Sequence, residues 1–320
     1  MKITTLLYKR LLVSHNLSEK LLNLCRKIFI KLFHDPSCTL NIHGKQLQLP
    51  LSHQLPIYLK HHPFYDKLLG RLSDFIYYKY GHLKCIDVGA NIGDSIAACS
   101  KHDTDIFLAI EPHSTFNKYL HKNFGKCPNV KIIDVVCSSL NKSSIYKIDE
   151  KSGTASVISS KSGRVMQSKT IDEIIEENIE FSDANFLKID TDGHDFKVIA
   201  GAKKIITENL PVVLFECDFF ENNAYIENCI ETLNFFKEVG YKSFLIYDNF
   251  GYLMGKQLLE HLLNFKHLLF YQLTSRFYYF DLLLMNEEEM RIFIKLEHSY
   301  FINKMTNKAL QRTAKVSAEL

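Results

Sequence analysis

Residues 87–94, with the sequence Asp-Val-Gly-Ala-Asn-Ile-Gly-Asp, stand where an apolar run ends and a helix-period segment begins. Gly89 and Gly93 permit the backbone to approach a ligand closely at the start of a helix. Their G-x-N-x-G spacing differs from the G-x-G-x-x-G pattern that seats a dinucleotide pyrophosphate. Asp87 would repel a pyrophosphate and attract an ammonium group. The segment therefore favours a cofactor with an aminoacyl moiety.

Two further acids follow the next apolar runs. Glu111 comes 24 positions after Asp87, and its two acceptor oxygens match the vicinal hydroxyls of a ribose. Asp134 follows a third run and could accept a hydrogen bond from the exocyclic amine of an adenine. Because ligands of open α/β sheets bind at the carboxyl ends of the strands, these acids reinforce one another as a nucleoside site.

The runs that carry these residues alternate with helix-period segments from residue 84 onward, which is typical of βαβ units and a parallel sheet. We predict an α/β fold with crossover helices between the fourth and fifth runs and after the fifth. Residues 248–251 are predicted as a turn after the sixth strand. The predicted strands, about seven in number, are 85–88, 106–110, 130–133, 186–189, 212–215, 241–247 and 277–285.

Other segments complete the domain organisation. Alternation at residues 39–49 predicts a hairpin, and residues 65–80 predict a helix that leads into the first parallel strand. Residues 151–168 are rich in Ser and Gly, which indicates a mobile loop or a loose hairpin, either a lid over substrate or a surface excursion. We expect residues beyond 303 to fray. The predicted units are a helical and hairpin extension at 1–83, the main domain at 84–295 and a C-terminal tail at 296–320.

The composition excludes several classes of protein. The 320 residues are 46% hydrophobic and 23% charged, which is typical of a folded globular chain. A net charge of +3 is too small for a generic nucleic-acid-binding protein, so no nucleic-acid partner is expected. The eight cysteines form no C-x-x-C pair, so no metal site is expected and a reducing, cytoplasmic compartment fits best. The oligomeric state stays open.

Several motifs together resemble the FkbM family of S-adenosylmethionine-dependent methyltransferases, over roughly residues 38–290. The resemblance implies a class I (Rossmann-like) methyltransferase fold, with a seven-stranded, mostly parallel sheet whose last strand is antiparallel. It also implies S-adenosylmethionine as cofactor and, as is usual in the family, transfer to a hydroxyl oxygen. The motifs that carry the resemblance are 85–94, 110–112, 170–172, 186–195 and 198–202.

The same resemblance assigns roles to individual residues. The family usually has Glu, Ala and Glu where this chain has Asp192, His194 and Asp195, so shorter acids and an imidazole stand at the predicted cleft and could alter the choice of substrate. By the resemblance, the methionine end of the cofactor is held by Asp87, Gly89, Asn91 and Gly93, the ribose by Glu111, and the adenine side by Asp134.

The segment that follows the fourth predicted strand supplies candidates for a general base. Methyl transfer from a sulfonium is an in-line displacement, and an alcohol acceptor must lose its proton as the new bond forms. Asp190 and His194 are the two candidates for the residue that takes this proton. The alternative is structural: Asp190 and Asp195 suit the capping of the next helix, and His194 would then be an exposed turn residue.

Two other functions remain open for the same residues. Asp190, Thr191 and Asp192 form an aspartate-x-aspartate triplet that could bind a divalent metal and a nucleotide-sugar diphosphate in a glycosyltransferase. A non-catalytic module that binds a nucleoside metabolite is the third hypothesis. We favour the first: an O-methyltransferase that methylates a hydroxyl oxygen of a small molecule, sugar or glycan.

The N-terminal segment is distinctly basic. Residues 1–36 contain seven Lys or Arg and two Asp or Glu, with apolar residues recurring near helical spacing. A basic amphipathic helix could lie on an anionic membrane surface, which would place a cytoplasmic enzyme at the inner face of a membrane. The alternative is a helix packed on its own domain with a solvated basic face.

Overall fold

The computed structural model describes residues 3–151, 154–159, 164–220, 222–275, 277 and 279–318. The N-terminal part consists of two helices, a hairpin and two further helices. The antiparallel hairpin pairs Ser37 with Pro50 and Ile42 with Lys45, which confirms the predicted hairpin, and the last of these helices confirms the helix predicted at 65–80. The elements are α1 (Ile3–Val13), α2 (Asn16–Leu32), β1 (Ser37–Ile42), β2 (Lys45–Pro50), α3 (Leu55–His61) and α4 (Lys67–Tyr80).

Two βαβ units follow, as the alternation of apolar runs and helix-period segments predicts. Their three strands pair in parallel, in the order in which they occur in the chain. Each helix leaves the carboxyl end of one strand and returns the chain to the start of the next. These elements are β3 (Lys84–Val88), α5 (Asp94–Cys99), β4 (Ile106–Ile110), α6 (Ser114–Phe124) and β5 (Val130–Ile133).

A second, four-stranded sheet interrupts this alternation. It comprises β6 (Val136–Cys137), β7 (Lys142–Lys151), β8 (Thr154–Ser159) and β9 (Arg164–Lys169), in the order β6-β9-β7-β8. The segment predicted as a mobile loop or a loose hairpin at 151–168 contains two strands where it is described, β8 and β9, and these pair on opposite sides of β7 and not with each other. Residues 152–153 and 160–163 lie outside the described residues.

The rest of the chain completes the main sheet and ends in two helices. The expectation that residues beyond 303 fray is wrong over 308–318, which are helical, and the boundary predicted at 295/296 falls inside a helix. In chain order the elements are α7 (Ile171–Glu176), a 3-10 turn (Ile179–Phe181), β10 (Phe186–Ile189), α8 (Asp195–Ala200), α9 (Lys203–Asn209), β11 (Val212–Asp218), α10 (Tyr225–Val239), β12 (Ser243–Asp248), β13 (Leu253–Leu258), α11 (Leu263–Thr274), β14 (Tyr279–Leu284), α12 (Glu287–Lys304) and α13 (Lys308–Ala318).

The main sheet has the order β13-β12-β14-β11-β10-β3-β4-β5. β10 pairs in parallel with β3 and β11, whereas β14 is antiparallel to both β11 and β12. This is the predicted class I methyltransferase arrangement, with the last strand antiparallel. The sheet has eight strands where seven were predicted, because β13 adds an antiparallel strand beside β12. Its residues are alternately half-buried and exposed, so the segment lacks the apolar run that marks the other strands.

Apolar side chains cover both faces of the sheet. Neighbouring residues of a strand point to opposite faces, and Phe107 and Leu108 of β4 are both fully buried, in two separate hydrophobic clusters. Helices on either side therefore exclude water from the sheet, which leaves the carboxyl ends of the parallel strands as the place for a polar site. None of the described helices is long and apolar enough to cross a membrane.

Candidate functional site

The turn after β3 has a backbone that only a few residue types adopt. Gly89, Asn91 and Gly93 all have positive φ, at 79°, 48° and 89°. A Cβ on Gly89 would lie 1.8 Å from the carbonyl oxygen of Asp190, so glycine is required there by contact as well as by φ. The turn after β3 and the segment after β10 thus touch at the carboxyl edge of the sheet.

Glu111 fixes the same turn from the end of β4. Its Oε2 accepts a hydrogen bond of 2.8 Å from the Asn91 N–H, and its Oε1 accepts one of 2.7 Å from the His113 N–H. The side chain is buried, and this burial raises the pKa of Glu111 to about 7 although both backbone donors act in the opposite direction. The backbone thus holds this carboxyl group in one orientation at the sheet edge, and its contact with the two hydroxyls of a ribose stays a prediction.

Asp87 is buried at the end of β3 and already has partners. The Ser95 hydroxyl donates to Asp87 Oδ2 over 2.5 Å, and the Lys188 ammonium lies 3.3 Å from Oδ1. Lys188 Nζ also donates to the Gly89 carbonyl over 3.2 Å and lies 3.1 Å from Asp190 Oδ2. A positively charged side chain thus stands between two of the predicted site acids.

Sequence reasoning placed Lys188 in a strand without assigning it a function. A lysine in the otherwise apolar strand Phe-Leu-Lys-Ile is the signal that could have found it. Burial by itself would lower the pKa of Lys188, but the carboxylates of Asp190 and Asp87 outweigh it and raise this pKa well above its ordinary value. The lysine is therefore charged, and it compensates the charge of both acids.

The N-terminal extension also reaches the turn after β3. His53 is buried, and its Nε2 lies 3.2 Å from Asn91 Oδ1. The Asn123 amide donates to the carbonyl oxygens of Gln48 and Ile92, each over 2.9 Å, which joins β2 to the same turn. No motif in the sequence pointed to His53 or Asn123, because both act through contacts that only the folded chain brings together.

A cavity opens beside the turn, at the carboxyl ends of β10 and β11 and the start of β14. Asp190 and Lys188 form one wall, and Glu216 and Asp281, which are register partners on β11 and β14, form another. Burial, followed by the repulsion of Asp190, raises the pKa of both Glu216 and Asp281 well above the ordinary carboxyl range. Further lining residues are Tyr65, Asp66, Leu68, Leu69, Ile189, Leu214, Asn249, Gly251 and Tyr279.

The two candidate bases lie in different surroundings. Asp190 lines the cavity and its side chain is 42% exposed. His194 is buried, its Nε2 lies 3.4 Å from the Ser138 hydroxyl, and burial lowers the pKa of the imidazole to about 4. The expectation of an exposed turn histidine is therefore wrong. The geometry places Asp190, and not His194, at the cavity wall.

The other acids of this segment have distinct environments. Asp195 is buried and accepts hydrogen bonds from the Thr191 hydroxyl, over 2.8 Å, and from the Glu216 N–H, over 3.3 Å. It therefore fixes the start of α8 against β11. Asp192 has a left-handed backbone, and burial followed by the neighbouring Asp190 raises its pKa to about 7. Asp134 directly follows β5, at the strand end where it was predicted, and its side chain is exposed.

The central part of the chain is similar to a known family. Residues 87–243, which contain every predicted site residue, match the model of the methyltransferase FkbM domain. No curated protein matches the chain. Among solved structures, the methyltransferase FkbM from Methylobacillus flagellatus KT is 16% identical, with a TM-score of 0.37 and coverage of 61% of this chain and 48% of that one. The chain thus spans about half the length of that structure.

Two more solved structures are similar to parts of the chain. The precorrin-6y C5,15-methyltransferase from Geobacter metallireducens GS-15 is 11% identical, with 64% and 81% coverage of the two chains and a TM-score of 0.34. TYW2 from M. jannaschii, solved in complex with AdoMet, is 14% identical, with 78% and 84% coverage and a TM-score of 0.37. The match to the domain model, together with the strand order of the sheet, identifies residues 87–243 as a methyltransferase FkbM domain.

Proposed function

We propose that this protein uses S-adenosylmethionine to methylate a hydroxyl oxygen of a sugar or glycan in the cytoplasm. The observation that carries the proposal is the position of Lys188. Its ammonium lies 3.3 Å from Asp87, on the cofactor side, and 3.1 Å from Asp190, on the wall of the cavity. One side chain thus joins the turn that suits the cofactor to the space that suits an acceptor.

The residues at the turn fit S-adenosylmethionine chemically. Glu111 presents a fixed carboxyl group to the ribose hydroxyls, and the left-handed Gly89 and Gly93 allow the backbone to come close to the methionine moiety. Asp134 would accept from the adenine amine at the end of β5. Asp87 would attract the ammonium group of the cofactor, as the sequence predicts. The structure adds that the same carboxylate is paired with the Lys188 ammonium, a partner that was not predicted. When bound, S-adenosylmethionine supplies the methyl group.

The cavity fits a polyhydroxylated acceptor better than an apolar one. Burial and the nearby Asp190 raise the pKa values of Glu216 and Asp281, which favours their protonated forms, and a protonated carboxyl group donates one hydrogen bond and accepts others. The Asn249 amide and the Tyr65 hydroxyl add donors and acceptors to the lining. Sugar hydroxyls, which both donate and accept, match this set of groups.

Asp190 would take the proton of the acceptor hydroxyl. It is a carboxylate at the cavity wall, and the adjacent ammonium of Lys188 holds it in place. A positioned base contributes about 10²–10⁴-fold to a rate of this kind. His194 is a weaker candidate, since its imidazole is buried and has a pKa of about 4.

The other two hypotheses predict different results. Among the residues that the structure describes, no group of three or more His, Cys, Asp or Glu side chains is arranged to hold a metal ion, so the glycosyltransferase hypothesis gains no support from the triplet at 190–192. A nucleoside-binding module would bind the cofactor without turnover. Binding and catalysis must therefore be measured separately.

The test combines calorimetry with an assay for methylated product. S-adenosylmethionine and S-adenosylhomocysteine are titrated into the protein, and a panel of sugars and nucleotide sugars is then assayed by mass spectrometry. We expect Asp190→Asn to keep cofactor binding and to lower kcat by about 10²–10⁴-fold. The control is Asp183→Asn, an exposed acid paired with Lys84. Binding of nucleotide sugars with manganese, and of neither sulfur compound, would refute the proposal.

A further inference from the structure

The outward face of α2 is apolar, although the segment is basic in composition. Six large apolar residues of this helix and its C-terminal end are between 47% and 79% exposed. The first five are spaced by 4, 3, 4 and 4 positions, which places them on one side of an α-helix. They form a stripe about 22 Å long at ~1.5 Å per residue. This stripe comprises Leu17, Leu21, Leu24, Ile28 and Leu32; the sixth exposed residue, Phe33, caps the helix outside the stripe, with its ring 5.2 Å from that of Phe29.

The stripe is not the side of α2 that packs against the protein, because a different side of the helix makes those contacts. Arg26 is 1% exposed on that opposite side, where it donates hydrogen bonds to the Tyr8 hydroxyl and to the Ser52 carbonyl, over 3.1 and 3.3 Å. Phe29 and Ile30 pack against the hydrophobic core from the same side. The helix is thus anchored on the protein with its apolar stripe turned outward.

Charged residues flank the stripe asymmetrically. At about 100° per residue, Lys20, Lys27 and Lys31 lie along one edge of it, and all three are exposed. Glu19 is the single acid of α2, and it lies on another side of the helix, 2.7 Å from the Lys60 ammonium and 2.8 Å from the His61 imidazole. Within the described residues, the three lysines have no ion pair. The face therefore combines apolar surface with uncompensated positive charge.

We propose that α2 binds the surface of an anionic lipid bilayer, with the stripe in the acyl boundary and the three lysines among the headgroups. This pattern is that of a helix lying in the membrane interface, with long aliphatic side chains on one side and basic residues at the border. The positive charge favours an anionic bilayer over a second copy of this chain, because two copies of the same face would bring six lysines together. The alternative prediction, a solvated basic face, does not account for the five exposed apolar side chains of the stripe. The proposal does not depend on the acceptor of methyl transfer.

The structure also indicates where the bilayer would lie relative to the site. Arg26 binds the Ser52 carbonyl, and the next residue, His53, contacts Asn91 of the turn after β3. The helix α2 and the turn after β3 are therefore connected through one short segment. A bound bilayer would be held on the side of the protein formed by the N-terminal extension.

Vesicle co-sedimentation of the full chain tests this proposal. We expect binding to vesicles of phosphatidylcholine with phosphatidylserine, weaker binding to phosphatidylcholine alone, and a decrease as salt is raised. The triple variant K20Q/K27Q/K31Q should bind about 100-fold more weakly, at about fivefold for each lysine. The variant L21Q/L24Q/I28Q should lose binding. The matched control is L263Q/F270Q/L273Q, which alters three exposed apolar residues of α11 and should bind as the unchanged protein does.

Each outcome is informative. All three variants keep the buried residues of α2, and a thermal melt confirms that each is folded. Equal binding by all variants, or no binding to anionic vesicles at low salt, overturns the proposal. Light scattering coupled to gel filtration tests the alternative, in which the stripe binds a second copy of this chain. A dimer that dissociates in the L21Q/L24Q/I28Q variant would show this alternative and overturn the proposal.

Discussion

Replacing Gly89 by alanine tests the geometry of the site most directly. An alanine at this position must adopt a φ near 79°, which costs about 1–2 kcal/mol for a residue with a Cβ. Its Cβ would also lie 1.8 Å from the Asp190 carbonyl oxygen, and since real contacts are not shorter than 3.0 Å, the two segments must separate by at least 1.2 Å. Such overpacking adds about 1–3 kcal/mol. We expect Gly89→Ala to lower the free energy of unfolding by about 2–5 kcal/mol.

Gly81 is a close control for this change. It ends α4 with a φ of 73°, and no heavy atom lies within 4 Å of its built Cβ. Gly81→Ala therefore has the same backbone strain without the collision, and should cost only about 1–2 kcal/mol. Any larger loss in Gly89→Ala is due to the contact with Asp190.

The functional effect of Gly89→Ala should exceed its effect on stability. A displacement of about 1 Å at a reacting centre can lower a rate about 100-fold. We expect S-adenosylmethionine affinity and turnover to fall by about that factor, while Gly81→Ala keeps both. Urea denaturation, calorimetry and the product assay measure these quantities. If Gly89→Ala matches Gly81→Ala in all three, the two strand ends do not touch as described.

Three further changes test the charged groups. Lys188→Met leaves Asp87 and Asp190 without their cation and should cost about 3–5 kcal/mol in urea denaturation, against about 0–1 kcal/mol for Lys204→Met in an exposed pair. Glu111→Gln should change the pH dependence of stability. Between pH 4.5 and about 7, Glu111 keeps a proton in the folded protein that it has released in the unfolded chain. Its contribution to the free energy of unfolding is therefore present below this range and is lost as pH rises. The variant should remove up to about 1.4 kcal/mol per pH unit of that fall in stability. Glu297 of α12 pairs with Arg71 of α4, with Arg71 Nε 2.5 Å from Glu297 Oε1. Glu297→Gln breaks this buried ion pair and should lower the free energy of unfolding by about 3–5 kcal/mol. A thermal melt that is unchanged from the parent protein would contradict the burial of Glu297.

The strands β3 and β4, which lead into the candidate site, were predictable because each combines an apolar run with a polar residue at its end. Asp87 and Glu111 follow such runs, and the parallel sheet brings their strand ends side by side. β13 was missed because its residues alternate between half-buried and exposed and so produce no apolar run. The pattern of hydrophobic residues thus predicts a central strand more easily than an edge strand.

The cavity could not be predicted in the same way, because its residues are far apart in sequence. Glu216 and Asp281 become neighbours only when β14 enters the sheet between β11 and β12. That insertion reverses the direction of one strand and brings its start to the carboxyl end of β11. A single acid inside an apolar strand is the signal they leave in the sequence. The partner of each such acid depends on the strand order, which hydrophobic periodicity does not determine.

The distribution of charge in the cavity favours a neutral acceptor. The single ammonium of Lys188 lies between Asp87 and Asp190 and is shared by these two acids. Glu216 and Asp281 have raised pKa values because burial and the nearby Asp190 disfavour their charged forms. An acidic acceptor would meet repulsion from Asp190, whereas a neutral polyol could exchange hydrogen bonds with Glu216 and Asp281 and, in the proposed reaction, give its proton to Asp190. The side chains that disfavour a charged acceptor therefore support the proposed role of Asp190 as the group that takes the proton of a hydroxyl.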